Sequence, residues 1–294
     1  MKYQKVVEIV NEILYQYPMP LTIRQIFYRL VANYGYPNSQ SSYNQLSKQL
    51  VKARERGDVN PNRIEDRSRE FLGGDNGFEN PEEFLESRIY SFLNSPKHYH
   101  RHMWSLQPKF VIVWVEKDAL SRVISRIANK YKVITAPSKG YASFAYIYEA
   151  INMFPEDKEI IILHFADHDP SGLDMTRDLE ERFERYIKLR ELNLDFNVER
   201  IALNYDQVIR YGLNPNPAKT ADPRASNYIA EFGNECWELD AIDPNELQKL
   251  VSESITQHID VEIWNDTIKK QKQEQQELEE IFLAVKEKFR EIGL

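Results

Sequence analysis

Apolar residues recur at helical spacing through the first 70 residues and form short unbroken runs beyond them. Residues 3–17 read as an amphipathic helix that stops at Pro18. A second helix opens at Thr22, with Gln25 three residues on in a capping-box pattern, and closes near Gly35. A third covers about 42–56, with Tyr43, Leu46, Leu50 and Ala53 on one face and Gly57 as its stop. Three short helices joined by tight turns predict a helix-turn-helix or winged-helix module, whose third helix can enter the major groove of DNA. Residues 73–108 read as a linker: GGDNG, then acids, then Pro81, Pro96 and Pro108. Beyond it FVIVWVE (110–116) and EIIILHFAD (159–167) are buried-strand runs, with strand-like KVITA and the helical YASFAYIYEAI between them. Strands alternating with helices predict an α/β fold on a mostly parallel sheet, with functional groups gathered at the carboxyl ends of strands. The C-terminal stretch reads as a helix carrying Leu278, Ile281, Phe282, Val285 and Phe289 on one face.

Composition narrows the class. With 42% hydrophobic and 29% charged residues the chain reads as globular, and its 294 residues suffice for two domains. No apolar run approaches the roughly 20 residues of a membrane helix. The N-terminus has acids within an amphipathic pattern, unlike a signal peptide. The single cysteine, Cys236, excludes an intramolecular disulfide and suits a reducing cytoplasm, the expected location. A net charge of −8 argues at first against nucleic acid, but residues 1–69 hold 11 Lys and Arg against 6 Asp and Glu, and the remainder 27 against 40. A basic module joined to an acidic remainder fits one domain that grips phosphate and another that holds cations, although solvated faces produce such asymmetry too.

Glu116 ends the first strand run; Asp167 and Asp169 end the second. Three carboxylates at strand ends can converge on one hard cation, and oxygen ligands suit Mg²⁺. Acids in such places also serve as ordinary turn and helix-cap residues. The surrounding residues bear on the choice. VEKDA (115–119) and DHDPSG (167–172), with Lys139-Gly140-Tyr141 between them, resemble the V-E-K-x-A, D-x-D-P-x-G and Lys-Gly-Tyr motifs of the topoisomerase VI A subunit and the related meiotic double-strand-break transesterase. The resemblance covers roughly residues 20–215. It implies a CAP-like winged-helix domain over 1–72, the linker 73–108, a Rossmann-like toprim domain over 109–215 and a partly helical C-terminal extension over 216–294. It also implies that Glu116, Asp167 and Asp169 bind Mg²⁺, with Glu116 doubling as general acid/base.

The same family carries, on its helix-turn-helix domain, an Arg followed three and four residues later by an aromatic residue and a Tyr. This chain has Arg24, Phe27 and Tyr28. Ile23, Ile26, Phe27 and Leu30 form the apolar stripe of that helix, and Arg24 and Tyr28 are i,i+4 neighbours off it. An adjacent guanidinium can favour phenolate and bind a scissile phosphate. The implied chemistry is transesterification of DNA by Tyr28. It carries a homodimer with it, the tyrosine of one protomer working with the acids of the other. Only 27 residues precede Tyr28, where the family's A subunits have a longer extension that docks the ATPase B subunit. The resemblance is thus to a shortened form, and with no Walker-type phosphate loop here any ATPase is a separate B-type chain.

Lys48, Lys52, Arg54 and Arg56, with Arg63, Arg67 and Arg69 after them, are candidate phosphate contacts on double-stranded DNA; so are Lys139, Lys219 and Arg224. His98, His100 and His102 alternate in HYHRH as a candidate transition-metal site, and Glu238 with Asp240 as a second metal position. Two other functions compete with the transesterase: a toprim nuclease of defence-system type in which activated water attacks, and a non-catalytic DNA-binding scaffold. Arg24 paired with Tyr28 favours the transesterase over the nuclease, and three intact acids argue against the scaffold.

Overall fold

The computed structural model describes residues 1–65, 77–138, 140–218 and 222–291. The chain is a mixed α/β protein that divides into two compact units. One comprises Met1–Arg67 with Lys109–His258, the other Ser68–Pro108 with Ile259–Leu294. This departs from the sequence expectation at two places. The helical N-terminal module belongs to the same unit as the sheet, and the expected linker 73–108 contains a helix.

In the first unit, α1 (Tyr3–Gln16), α2 (Ile23–Tyr34) and α3 (Gln40–Glu55) bury Val6, Ile9, Val10, Ile13, Ile26, Leu30, Leu46 and Leu50 against one another. Two short strands, β1 (Leu21–Thr22) and β2 (Ile64–Glu65), pair in parallel beside them. The capping box at α2 is formed: Thr22 Oγ1 accepts from Gln25 N at 3.0 Å and Gln25 Oε1 from Thr22 N at 2.9 Å. Gly35 ends α2 at φ 63°, a conformation open to glycine.

The sheet holds β3 (Lys109–Val115), β4 (Ile134–Pro137), β5 (Glu159–Phe165) and β6 (Phe196–Ala202), all parallel in the order β4-β3-β5-β6. One face, from Ile112, Trp114, Ile160 and Ile162, packs on α6 (Phe144–Asn152) and α7 (Pro170–Leu189). The alternate residues, Val113, Val115, Leu163 and Phe165, are buried on the other side, where α5 (Asp118–Ala128) meets β3, β4 and α10 (Pro244–Thr256). Between β6 and α10 run α8 (Tyr205–Tyr211), β7 (Asn216–Pro217), α9 (Ala225–Phe232) and β8 (Glu235–Cys236). The connection leaving β3 runs to one side of the sheet and the connection leaving β5 to the other. The carboxyl ends of β3 and β5 therefore flank the point where the strand order reverses, the place where parallel sheets open a crevice.

The second unit pairs α4 (Pro81–Asn94) and the residues after it with α11 (Val261–Glu291). Phe92 meets Phe282 with ring centroids 4.6 Å apart, Trp104 meets Trp264 at 5.7 Å, and Arg101 pairs with Glu274 at 2.7 Å. The proline-marked stretch looked like a linker because its apolar residues find their partners about 180 positions away, beyond any local pattern. Among the described residues no helix is long and apolar enough to cross a membrane.

Candidate active site

Glu116 follows β3 directly and its backbone N–H donates to Phe165 O at 2.9 Å, extending the β3–β5 ladder by one bond. That places its carboxylate beside the turn after β5, where Oε2 accepts from Asp167 N at 3.2 Å. Asp167 is buried; its Oδ1 accepts from Leu239 N at 2.8 Å and its Oδ2 pairs with Lys117 Nζ at 2.8 Å. Asp169 caps α7, its Oδ1 accepting from Gly172 N at 2.6 Å and from Ser171 Oγ at 2.8 Å. Gly172 is obligatory in this turn, because a Cβ there would stand 2.2 Å from the Asp167 carbonyl oxygen. His168, between the two aspartates, anchors the turn from behind: its ring lies among Tyr205, Tyr228, Phe232 and Trp237, and Nδ1 meets Tyr228 Oη at 2.9 Å. Burial, then the Arg200 charge, drives its pKa down to about 4, so the ring is neutral.

Two cations organise the acids, and sequence reasoning singled out neither. Lys117 Nζ lies 2.8 Å from Asp167, 3.0 Å from Glu238 and 3.2 Å from Asp240. Burial opposes its charge, but the three carboxylates more than offset that and its pKa is raised. Arg200 reaches from β6 to donate to the carbonyls of Gly172 and Asp167, at 2.8 and 2.6 Å. Lys117 was visible as the residue after Glu116. Its partners lie about 50 and 120 positions downstream, and no local pattern announces them.

Arg24 of α2 joins the same network. Its Nη1 donates to both Glu238 oxygens at 2.7 Å, and its guanidinium sits over the Tyr43 ring at 4.6 Å. Arg24, Glu238, Lys117 and Asp167 thus form a continuous chain of ion pairs within one polypeptide. Glu238 and Asp240, expected as a second metal position, serve here as carboxylates for Arg24 and Lys117 and, through Asp240 and Thr22 Oγ1 at 3.2 Å, as a tie to the start of α2.

Tyr28 corrects the helical-wheel expectation. It is only 2% exposed and belongs to the core, edge-on to Phe27 with ring centroids 5.4 Å apart. Its hydroxyl accepts from Asn216 Nδ2 at 2.7 Å. Asn216 and residues 238–243 cover this second side of α2, which explains why a residue off the first stripe is buried. The guanidinium expectation is corrected too: burial and the Glu238 charge outweigh Arg24, Lys117 and the Asn216 hydrogen bond, and push the Tyr28 hydroxyl up to about 12.

Lys48 and Lys52 are exposed on α3 and Arg56 at its C-terminal cap, where the Arg56 guanidinium lies 5.5 Å from the centre of the Tyr3 ring. Arg54 is half-buried on the same helix. Arg63 is no surface contact, since it donates to the carbonyls of Leu14 and Tyr17. Arg224 is paired with Asp174 and Asp222. Arg67, Arg69, Lys139 and Lys219 lie outside the described residues. The histidine run does not assemble: His100 Nδ1 meets the His98 carbonyl, and among the described residues no three acidic, histidine or cysteine side chains already stand around one metal position.

The acids of the site nevertheless act on one another. Burial and then the charges of Asp167 and Asp169 push the Glu116 carboxyl up to about 7, the response of carboxylates crowded without enough positive charge. Five acids (Glu116, Asp167, Asp169, Glu238, Asp240) share this region with three cations (Arg24, Lys117, Arg200), an excess of two negative charges when all are ionised. All the donors are oxygens, which suits Mg²⁺. No protein-family model and no curated protein matches this chain.

Proposed function

We propose that this protein cleaves double-stranded DNA in a Mg²⁺-dependent transesterification with Tyr28 as nucleophile, in the manner of a topoisomerase VI A subunit. The winged-helix and toprim architectures belong to this proposal: helices α1–α3 with the small β1–β2 pair support the first, and the four parallel strands with acids at the switch point support the second. The observation that carries the reading is the ion-pair chain from Arg24 to Asp167. It ties the helix bearing Tyr28 to the acids of its own chain, so that a pair of protomers would bring two such tyrosine helices and two acid clusters to one duplex.

Glu116, Asp167 and Asp169 would hold the metal, which supplies charge neutralisation at a phosphodiester oxygen when bound. The protein's own groups do the rest. Arg24 orients a phosphate beside the tyrosine. Glu116 would relay the proton, taking it from a tyrosine hydroxyl or handing one to the leaving sugar oxygen. Exposed Lys48, Lys52 and Arg56, with Arg54, would grip backbone phosphates along α3. A homodimer, in which each tyrosine serves the partner's acids, completes the proposal. A separate B-type ATPase chain would be needed only for strand passage.

One observation favours a second reading. Tyr28 is buried and its hydroxyl is held by Asn216 with a pKa pushed up to about 12. A nuclease that activates water at the same acids would need no exposed tyrosine. Both readings require the acids, so the first test is supercoiled plasmid with Mg²⁺. Wild-type protein should nick or linearise it, and Asp167→Ala and Asp169→Ala should lose that activity while keeping DNA binding. Equal cleavage by the double variant would remove the metal-acid site from the reaction.

A further inference from the structure

Arg24 and Lys117 come from separate parts of the chain and converge on one carboxylate. Arg24 Nη1 lies 2.7 Å from each Glu238 oxygen and Lys117 Nζ 3.0 Å from Oε2. All three side chains stay partly open to solvent, at 30%, 24% and 24% exposure for Arg24, Lys117 and Glu238. A carboxylate whose two oxygens accept from a guanidinium and an ammonium offers the same charge and acceptor pattern as the two free oxygens of a phosphodiester.

We infer that Arg24 and Lys117 form a phosphodiester subsite for DNA and that the Glu238 side chain fills it as an internal phosphate mimic until duplex displaces it. This rests on the DNA-acting reading above. Both cations are held by groups other than Glu238, so the subsite outlasts the exchange. Asp167 and Asp240 keep Lys117 in place at 2.8 and 3.2 Å, and the Tyr43 ring keeps the Arg24 guanidinium oriented. The Glu238 backbone is also fixed independently: its carbonyl accepts from Ala241 N at 2.9 Å, and the preceding Trp237 bridges to His168 in both directions at 2.8 and 2.9 Å. A side-chain rotation is therefore enough to open the subsite. The neighbouring pair Arg29–Asp243 makes a useful contrast. Arg29 is 12% exposed and also donates to the Ala241 carbonyl, so no phosphate can reach it in the same way.

The mimic makes DNA compete with an intramolecular carboxylate, so removing its charge should tighten binding. The test is anisotropy of a labelled 20-base-pair duplex with full-length protein in EDTA, where no metal-dependent cleavage interferes. Glu238→Gln keeps size and shape and should bind at least about fivefold more tightly than wild type, the direction expected when a competing anion is removed. Glu235→Gln, an exposed acid on the adjoining strand, makes the same change in net charge away from the pair and should stay within about twofold of wild type. Arg24→Gln added to Glu238→Gln should erase the gain. Glu238→Asp, which withdraws the carboxylate by one methylene, should move affinity the same way by less, and it covers the case in which the glutamine variant fails to fold. Wild-type binding with no gain in either Glu238 variant overturns the inference and leaves the DNA reading standing. No binding by any of these proteins overturns both.

Discussion

Replacing Lys117 with Met tests whether the acid cluster depends on a resident ammonium. Methionine keeps the length and most of the apolar stem, so packing changes little. The loss is electrostatic. Asp167 and Asp240 have side chains only 9% and 2% exposed, and each would be left buried without its cation. Glu238 retains Arg24 at 2.7 Å and adds little to the loss. Breaking a buried ion pair from one side costs about 3–5 kcal/mol. Here the surviving hydrogen bonds, from Leu239 N to Asp167 and from Thr22 Oγ1 to Asp240, argue for the lower end, about 3 kcal/mol. For a unit of this size that is a fall in Tm of roughly 6–12 °C. The pH dependence has a definite sign. Burial already raises the Asp167 carboxyl and Lys117 opposes that, so without Lys117 Asp167 binds its proton still more readily folded than unfolded; the variant recovers as pH falls and loses most at high pH. Urea titrations of wild type and Lys117→Met between roughly pH 5 and 8 measure both effects. A penalty under about 1 kcal/mol at the alkaline end, or a gap that widens toward acid, would refute the assignment of Lys117 as the cluster's counter-ion.

Further outcomes follow from the same geometry. Gly172→Ala drives a Cβ to 2.2 Å from the Asp167 carbonyl, so it should lower stability by about 3 kcal/mol, seen as a shifted urea midpoint, whereas Ser171→Ala beside it should lower stability by about 1. Glu116 is pushed up to about 7, so the stability tied to its proton is complete below about 4.5 and lost as pH rises through about 7. Glu116→Gln should flatten that fall in thermal melts, and added Mg²⁺ should flatten it in wild type by favouring the carboxylate. Mixed dimers of Tyr28→Phe and Asp167→Ala should regain plasmid nicking, since the Tyr28 hydroxyl is bonded to Asn216 rather than to the acids of its own chain.

The residues most legible beforehand were those whose role is local. Thr22 and Gln25 announce the start of α2, and the apolar runs ending in Glu116 and Asp167 announce β3, β5 and the acids at their carboxyl ends. β6 was not legible, because FNVERIA is only half-buried and alternates weakly. Nor was the burial of Tyr28. A helical wheel shows one stripe, and the second covering surface comes from Asn216 and residues 238–243, about 190 to 215 positions away, where no local pattern announces them. The same remoteness hid the ion pairs of Lys117 and Arg24 with Glu238 and the pairing of residues 77–108 with α11. Each is a property of chain segments meeting across more than 100 positions.

The most direct test of the central claim looks for protein covalently joined to DNA. Wild-type protein is incubated with supercoiled plasmid and Mg²⁺, denatured in detergent, and resolved with and without protease digestion. The account predicts cleaved DNA that is retained with protein until digestion, an adduct absent in Tyr28→Phe although that variant keeps its ring, its fold and its affinity for duplex. Cleavage by Tyr28→Phe at the wild-type rate, with ends that carry no protein, would contradict it and identify water as the nucleophile.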